Sequence, residues 1–462
     1  MAWIDICGGR WRLRGEGQSL EFRSTLLLLP NEGFFVRHLS SLRVWLRRSV
    51  LIYSLAAIVF PINYAAAETI GKTQPVEAGF SAERLARINA YFEREVALKR
   101  IPGAIVLIRR RGQTAYYENF GVRNAATGAP VTPDTIFALY SMTKPITSVA
   151  AMMLVEEGKL ALDDEVGRYI PGFYKIQVGA EKIDADGKPV LDLVAPRRPM
   201  LIHDLLRQTA GIPYASLAYG VVKKPYEDAD LTSGKLDNAQ VAERIASLPL
   251  IDHPGETWVY GHATDVLGAV IEKISGKTLC EFEKERLLDP LGMTSTSFFV
   301  TDAAKQNLIA EPNTSEKFDR DPRVVTKWES GGGGMVSSMN DYSRFLQMIL
   351  NGGELDGTRI LGRKTVVLMT ANHIGAAAGV KPWVYYFPGA GYGFGLGFAV
   401  RTEAGVSHWA GSVGELEWSG GSGVYFLVDP KEDMFAILMV QTQTQRGRLQ
   451  SALKSMIYGA LK

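Results

Sequence analysis

The chain has 462 residues, 46% of them hydrophobic and 10% aromatic, with 51 Lys+Arg against 49 Asp+Glu. That composition excludes a disordered chain, and a net charge of +2 leaves no cationic excess to neutralise a nucleic-acid backbone. Only Cys7 and Cys280 occur, in no CxxC spacing, which argues against a thiolate metal site or a disulfide framework.

In chain order, residues 43–67 read as an export signal. Arg43, Arg47 and Arg48 form a basic start, Ser49 to Phe60 is a short apolar run, and Ala65-Ala66-Ala67 offers small residues for cleavage after Ala67. The run is too short to span a bilayer, so no stable membrane span is expected once the signal is removed. Retention of the run would instead give a membrane-anchored form. Residues 1–42 fit no signal pattern and make an N-terminal extension. The main domain is therefore residues 68–462, with 43 basic and 45 acidic side chains, and it is expected to be exported, periplasmic or secreted.

Ser81 is placed to cap a helix whose apolar residues Leu85, Ile88, Phe92 and Val96 recur at helical spacing, with Pro102-Gly103 to stop it. Ala104–Ile108 and Thr114–Phe120 read as a β-hairpin. A helix is expected from Ser141 to Glu157, ended by Gly158. Five more are expected, His203–Gln208, Asn238–Leu248, Thr264–Ser275, Leu279–Leu288 and Met339–Leu350, so a helix-rich lobe covers approximately 145–390. The end returns to strands, Tyr392–Val400, Gly423–Val428 and Met434–Gln441, followed by a helix with Leu449, Leu453, Ile457 and Leu461 on one stripe. Glycines 391, 393, 395 and 397 alternate with bulky residues, as in a strand with one bare face. Strand-rich ends around a helix-rich middle predict an α+β domain with an inserted helical lobe.

The sharpest chemical feature is Ser141-Met142-Thr143-Lys144. Three residues along a helix bring Lys beside the Ser hydroxyl, and a desolvated Lys with a lowered pKa can take that proton without histidine. A helix start adds N–H groups and a positive dipole end for an oxyanion. The spacing alone is not specific: Ser451-Ala452-Leu453-Lys454 shares it and reads as surface decoration of the last helix. Tyr260-Gly261-His262 precedes an amphipathic helix, and a Tyr beside a Lys can relay protons, though singly it reads as a packing aromatic. Trp418-Ser419-Gly420-Gly421 reads as the entry to a strand through Tyr425 to Val428, where paired glycines admit a substrate close to the backbone; singly it reads as a Gly-rich turn. Gly331–Gly334 is followed by no GK[ST] and reads as a loop lining or supporting a cleft. The six histidines form no HExxH pair, so no metal is expected, and His203, His253, His373 and His408 read as structural or surface residues.

In this order the three motifs resemble the serine β-lactamase and penicillin-binding protein superfamily, in its class C-like branch, closest to the family VIII carboxylesterases. The resemblance covers residues 76–462 and rests on FALYSMTKPITSVAAMMLVEEGKLALDDEV, LIHDLLRQTAGI, PGETWVYGHATDVLGAVIEKISG, ESGGGGMVSSMNDYSRFLQMILNGGEL and EWSGGSGVYFLVDP. It implies an antiparallel sheet built from both chain ends and packed on helices, with the active site beside the inserted lobe. By resemblance Ser141 is the acylated nucleophile, Lys144 its general base or proton shuttle, and Tyr260 the residue that returns a proton to the leaving group. The backbone N–H groups of Ser141 and Gly421 resemble an oxyanion hole, and His262, Trp418, Ser419 and Gly420 fall at substrate-binding positions. Which of Lys144 and Tyr260 is the acylation base stays open, because the pair titrates as a unit. Two residues depart from the β-lactamase pattern. Trp418 replaces a lysine that attracts a carboxylate, a lost contact of about 1.5–3 kcal/mol, and His262 replaces an asparagine. The expected activity is hydrolysis of small-molecule carboxylic esters with short acyl chains, without a cofactor or a nucleic-acid partner. The alternatives are a β-lactamase, D,D-peptidase or oligoamide hydrolase of the same fold, and a binding homologue without catalysis.

Overall fold

A computed structural model describes residues 73–462 apart from 314, 315, 317 and 319, so the export signal and the N-terminal extension lie outside the described residues. The Ser81 side chain accepts from the Arg84 amide and opens α1 (Ala82–Ala97), which buries Leu85, Ile88 and Phe92. The chain then enters β1 (Gly103–Arg110) and β2 (Gln113–Asn124), the expected hairpin, with β3 (Ala129–Pro130) at the edge. Five strands from the other chain end complete the sheet: β4 (Tyr392–Phe394), β5 (Ala399–Arg401), β6 (Leu416–Ser419), β7 (Tyr425–Asp429) and β8 (Met434–Val440). The order is β4-β5-β6-β7-β8-β1-β2-β3, and every pair is antiparallel.

The two chain ends meet where β1 pairs with β8, Ala104 opposite Val440 and Arg110 opposite Met434. Alternate residues of β1, β7 and β8, among them Val106, Ile108, Leu427 and Leu438, pack with α1 and the last helix. Those between them, such as Leu107 and Ile437, are buried on the opposite face. Both faces are covered, which is why β7 and β8 read as unbroken apolar runs rather than alternating ones.

Two sequence expectations fail at the chain end. Tyr392–Val400 is two strands, because the Gly395 amide bonds the Phe398 carbonyl at 2.8 Å and reverses the chain. Gly397 sits in that turn at φ 113°, where a Cβ would lie 2.7 Å from Ser148 Oγ, so its glycine serves a turn and not a bare strand face. The Trp418 segment likewise belongs to β6, and Gly420–Val424 turns back into β7.

The lobe between the two sheet halves carries α2 (Thr143–Glu156), α3 (Ala263–Ser275), α4 (Leu279–Glu283) and α5 (Met339–Leu350), with shorter helices such as Ile202–Leu206 and Asn238–Ala246. It also holds an antiparallel hairpin, Val178–Ile183 with Pro189–Val194, that was not expected; its second strand is largely exposed and lacks a buried-face pattern. Among the described residues no helix is long and apolar enough to cross a membrane.

Within the lobe, Glu272 near the end of α3 accepts from the Asn238 side chain at 3.0 Å and the Leu279 amide at 2.9 Å. Burial, reinforced by the charges of Glu329 and Asp237, pushes its carboxyl up to about 7. A raised acid binds its proton more tightly folded than unfolded. Its contribution is therefore full below pH 4.5 and is lost as pH rises through 7. Glu272→Gln keeps an acceptor oxygen without the charge. It should come within about 1 kcal/mol of the wild type at pH 5 and exceed it at pH 8 by up to about 3 kcal/mol, as read by denaturant unfolding at both pH values. Equal differences at the two pH values would refute the assignment.

Candidate active site

Ser141 lies in a 3-10 turn, Tyr140–Met142, that runs directly into α2. The turn is held from several sides. The strand Ile136–Ala138 pairs with Val336–Ser338, the Leu139 amide bonds the Met335 carbonyl, and Met335 N–H donates to Thr143 Oγ1. Tyr342 of α5 donates its hydroxyl to the Met142 carbonyl at 2.9 Å. Ser422, in the turn after β6, donates to the Ala138 carbonyl at 2.6 Å. The constraint shows in Tyr140, a non-glycine residue held in the left-handed region at φ 47°. Pro145 is tolerated because it falls in the first turn of α2, where its missing N–H would have no intrahelical partner.

Lys144 is 0% exposed on a helix buried nearly all round. Its Nζ donates to Gly332 O at 2.6 Å, Tyr214 Oη at 2.8 Å and Ser141 Oγ at 3.4 Å. It also lies 4.6 Å from the centre of the Tyr260 ring. Burial alone would lower its pKa, but the oxygens of Tyr214 and Tyr260 and the Asp265 carboxylate hold it above the usual lysine range. The expected lowered lysine is thus overturned: three acceptors around one nitrogen describe an ammonium. Burial raises the Tyr214 hydroxyl, and Lys144 offsets part of that rise.

Tyr260 precedes α3, with its hydroxyl accepting from Trp418 Nε1 at 3.3 Å and its ring stacked on Trp258. Gly261 lets this segment press against its neighbour, since a Cβ there would sit 2.0 Å from the Ile212 carbonyl oxygen. That contact carries Tyr214 into the site, where its ring meets Tyr260 and His262 edge-on at 5.6 and 4.5 Å. His262 Nδ1 and Asp265 Oδ2 are 2.8 Å apart, one turn along the helix start. Asp265 further accepts from Ser330 Oγ at 2.6 Å and the Gly332 amide at 3.0 Å. Burial would raise its carboxyl, but these hydrogen bonds, the one from His262 foremost, and the charge of Lys144 hold it below the usual aspartate range. Asp265 and the Gly331–Gly334 loop thereby set the carbonyl that grips Lys144, and Thr147 fixes the loop again at Gly331 O.

Ser141, Tyr260, His262, Trp418, Ser419 and Gly421 line one cleft of about 1170 Å³. Lys144 lies beneath its floor. Gly420 does not line it: a Cβ there would fall 2.1 Å from the Leu139 carbonyl oxygen, so this glycine lets β6 dock on the Ser141 turn. The turn's backbone bonds run from Gly420 N to Val424 O and Gly423 N to Gly420 O, which leaves the Gly421 amide outside them. Tyr214 and Asp265 were missed by the sequence reading. Tyr214 follows the quoted LIHDLLRQTAGI stretch by two residues, and Asp265 stands three after His262 on the same helix face, which is the signal that could have found it. Lys454 is not surface decoration, since it is 1% exposed. Among the described residues no group of His, Cys, Asp and Glu is placed to hold a metal.

A serine hydroxyl beside a buried lysine, at the start of a helix and against the end of a strand of an antiparallel sheet, defines the class of fold and site. The chain belongs to the beta-lactamase family, whose model matches residues 88–456. Among curated proteins it is 34% identical to Rv1367c of Mycobacterium tuberculosis, over 74% of this chain and 86% of that one. It is 29% identical to the esterase EstB of Burkholderia gladioli, over 82% and 96%. Among solved structures it is similar to EstCE1, described as a hydrolase with promiscuous acyltransferase activity, at TM-score 0.68 and 27% identity over 82% of this chain and 99% of that one.

Proposed function

We propose that the protein is a serine hydrolase that cleaves small-molecule carboxylic esters of short acyl chains through an acyl-enzyme on Ser141. The observation that carries this is Lys144 Nζ at 3.4 Å from Ser141 Oγ on the floor of a cleft walled by Trp418 and Tyr260. Ser141 attacks the carbonyl; the Lys144 ammonium passes one proton on to the tyrosines as it takes the serine's, and Tyr260 hands a proton to the departing alcohol, so the relay ends with the protons it began with. The Ser141 and Gly421 amides receive the oxyanion. The esterase EstB and the hydrolase EstCE1 support ester cleavage.

The indole of Trp418 offers one N–H, already donated to Tyr260, and no charge for an anionic substrate. Neutral esters should therefore be preferred. The test compares p-nitrophenyl butyrate with a chromogenic cephalosporin, alongside fluorophosphonate labelling mapped by peptide mass. We expect the label on Ser141 and a kcat/KM for the ester about 10-fold or more above that for the cephalosporin. Equal or greater cephalosporin efficiency would put β-lactam hydrolysis first, and an unlabelled Ser141 would favour a binding homologue. Export with cleavage after Ala67 belongs to the same proposal, and N-terminal sequencing of the secreted protein tests it.

A further inference from the structure

Hydrolysis of an acyl-enzyme needs a base for the incoming water, and the residues around Ser141 narrow the choice. Lys144 directs its three N–H bonds at Gly332 O, Tyr214 Oη and Ser141 Oγ, so it holds no lone pair for a proton. The Tyr260 hydroxyl already accepts from Trp418, and the Tyr214 hydroxyl from Lys144. The carboxylates that line the cleft, Glu227, Asp230, Asp321 and Glu417, are ion-paired with Lys223, Lys235, Arg323 and Lys454. Asp265 has both oxygens engaged by His262, Ser330 and Gly332.

His262 remains. Its ring is 2% exposed, fixed at Nδ1 by Asp265 and edge-on to Tyr214, and it lines the cleft. The ionised Asp265 can only accept, so the Nδ1 atom carries the hydrogen and neutral imidazole presents a bare Nε2. Among the described residues Nε2 makes no hydrogen bond to the protein, and the residue lines the same cleft as Ser141.

We propose that His262, oriented by Asp265, is the general base of deacylation; this rests on the acyl-enzyme reading above. A water O–H bond breaks as its proton passes to Nε2 and its oxygen bonds the acyl carbon. The tetrahedral intermediate then expels Ser141 Oγ, which takes a proton from Lys144. The carboxylic acid leaves, and the proton on His262 returns to Lys144, restoring the resting state.

The test uses the full chain with His262→Ala and His262→Gln and p-nitrophenyl butyrate in stopped flow. We expect one equivalent of nitrophenolate released in a burst, a steady state about 100-fold slower than wild type, and a butyryl group on the Ser141 peptide after acid quench. Added imidazole should restore turnover in His262→Ala, because the cleft admits it; a purely structural histidine would show no rescue. Should the alanine variant fail to fold, His262→Gln carries the burst and acyl-peptide measurements. Steady-state turnover within about threefold of wild type in a folded variant overturns the proposal. So does loss of the burst with fluorophosphonate labelling intact. Failure of the acyl-enzyme reading is separate, since wild type itself would then leave Ser141 unlabelled.

Discussion

Ester turnover should fall about 10⁴-fold or more in Ser141→Ala, and nearly as far in Lys144→Gln. Alanine removes the attacking oxygen, while Lys144 keeps the Gly332 carbonyl and the Tyr214 hydroxyl as partners, so the fold should hold. Glutamine can still donate to Gly332 O, but it carries no transferable proton and no charge beside Ser141. If the two act on one step, the double variant loses no more than the worse single variant, because residues that work as a unit are not additive. Losses that multiply would show two independent contributions. A tenth of wild-type activity left in folded Ser141→Ala would mean another nucleophile.

Lys454→Met should cost about 3–5 kcal/mol of stability, the range for breaking one side of a buried ion pair. Lys454, on the last helix (α6, Arg446–Ala460), donates to the Glu415 and Glu417 carboxylates and to Tyr392 Oη at 2.7 Å. Burial would lower the lysine, but Glu417 and Glu415 hold it above its usual range. Burial raises the Glu415 carboxyl in turn, and Lys454 offsets part of that rise. Without the ammonium, two carboxylates share one nearly buried site, with phenol donors from Tyr392, Tyr425 and Tyr458 but no countercharge from Lys454. Denaturant midpoints measure the loss, and adding Glu415→Gln with Glu417→Gln should recover most of it. A midpoint within about 1 kcal/mol of wild type would show that the cluster is not coupled to folding.

Those two lysines mark how far local sequence carries. Both stand three residues after a serine, and both are buried, yet one faces a serine and a glycine carbonyl and the other two glutamates. Spacing on a helix sets which side chains share a face, but what meets that face comes from segments far along the chain. For Lys144 the partner loop is 188 residues away. Only flanking sequence told the two apart before the structure did.

Short-range features were readable because their causes are local. Ser81 caps α1, the apolar stripe sets which face of it is buried, and Met339–Leu350 forms a helix over the expected residues. Boundaries set by tertiary contact were not readable, as where Gly397 turns the chain against Ser148 or Gly420 meets Leu139 O. In the same way Tyr214 gives no helical or strand signal, and enters the site only because Gly261 has no side chain to block Pro213 and Ile212.

The sequence by itself determined the α+β class, the family resemblance, and Ser141, Lys144, Tyr260 and Trp418 as residues of one site, because motif order and helix spacing are encoded along the chain. The tertiary structure alone decided which oxygens surround Lys144, the entry of Tyr214, and the pairing of Asp265 with His262. Each depends on which groups face one another across a water-poor cleft floor, where burial and a neighbouring charge act together and neither can be read from spacing.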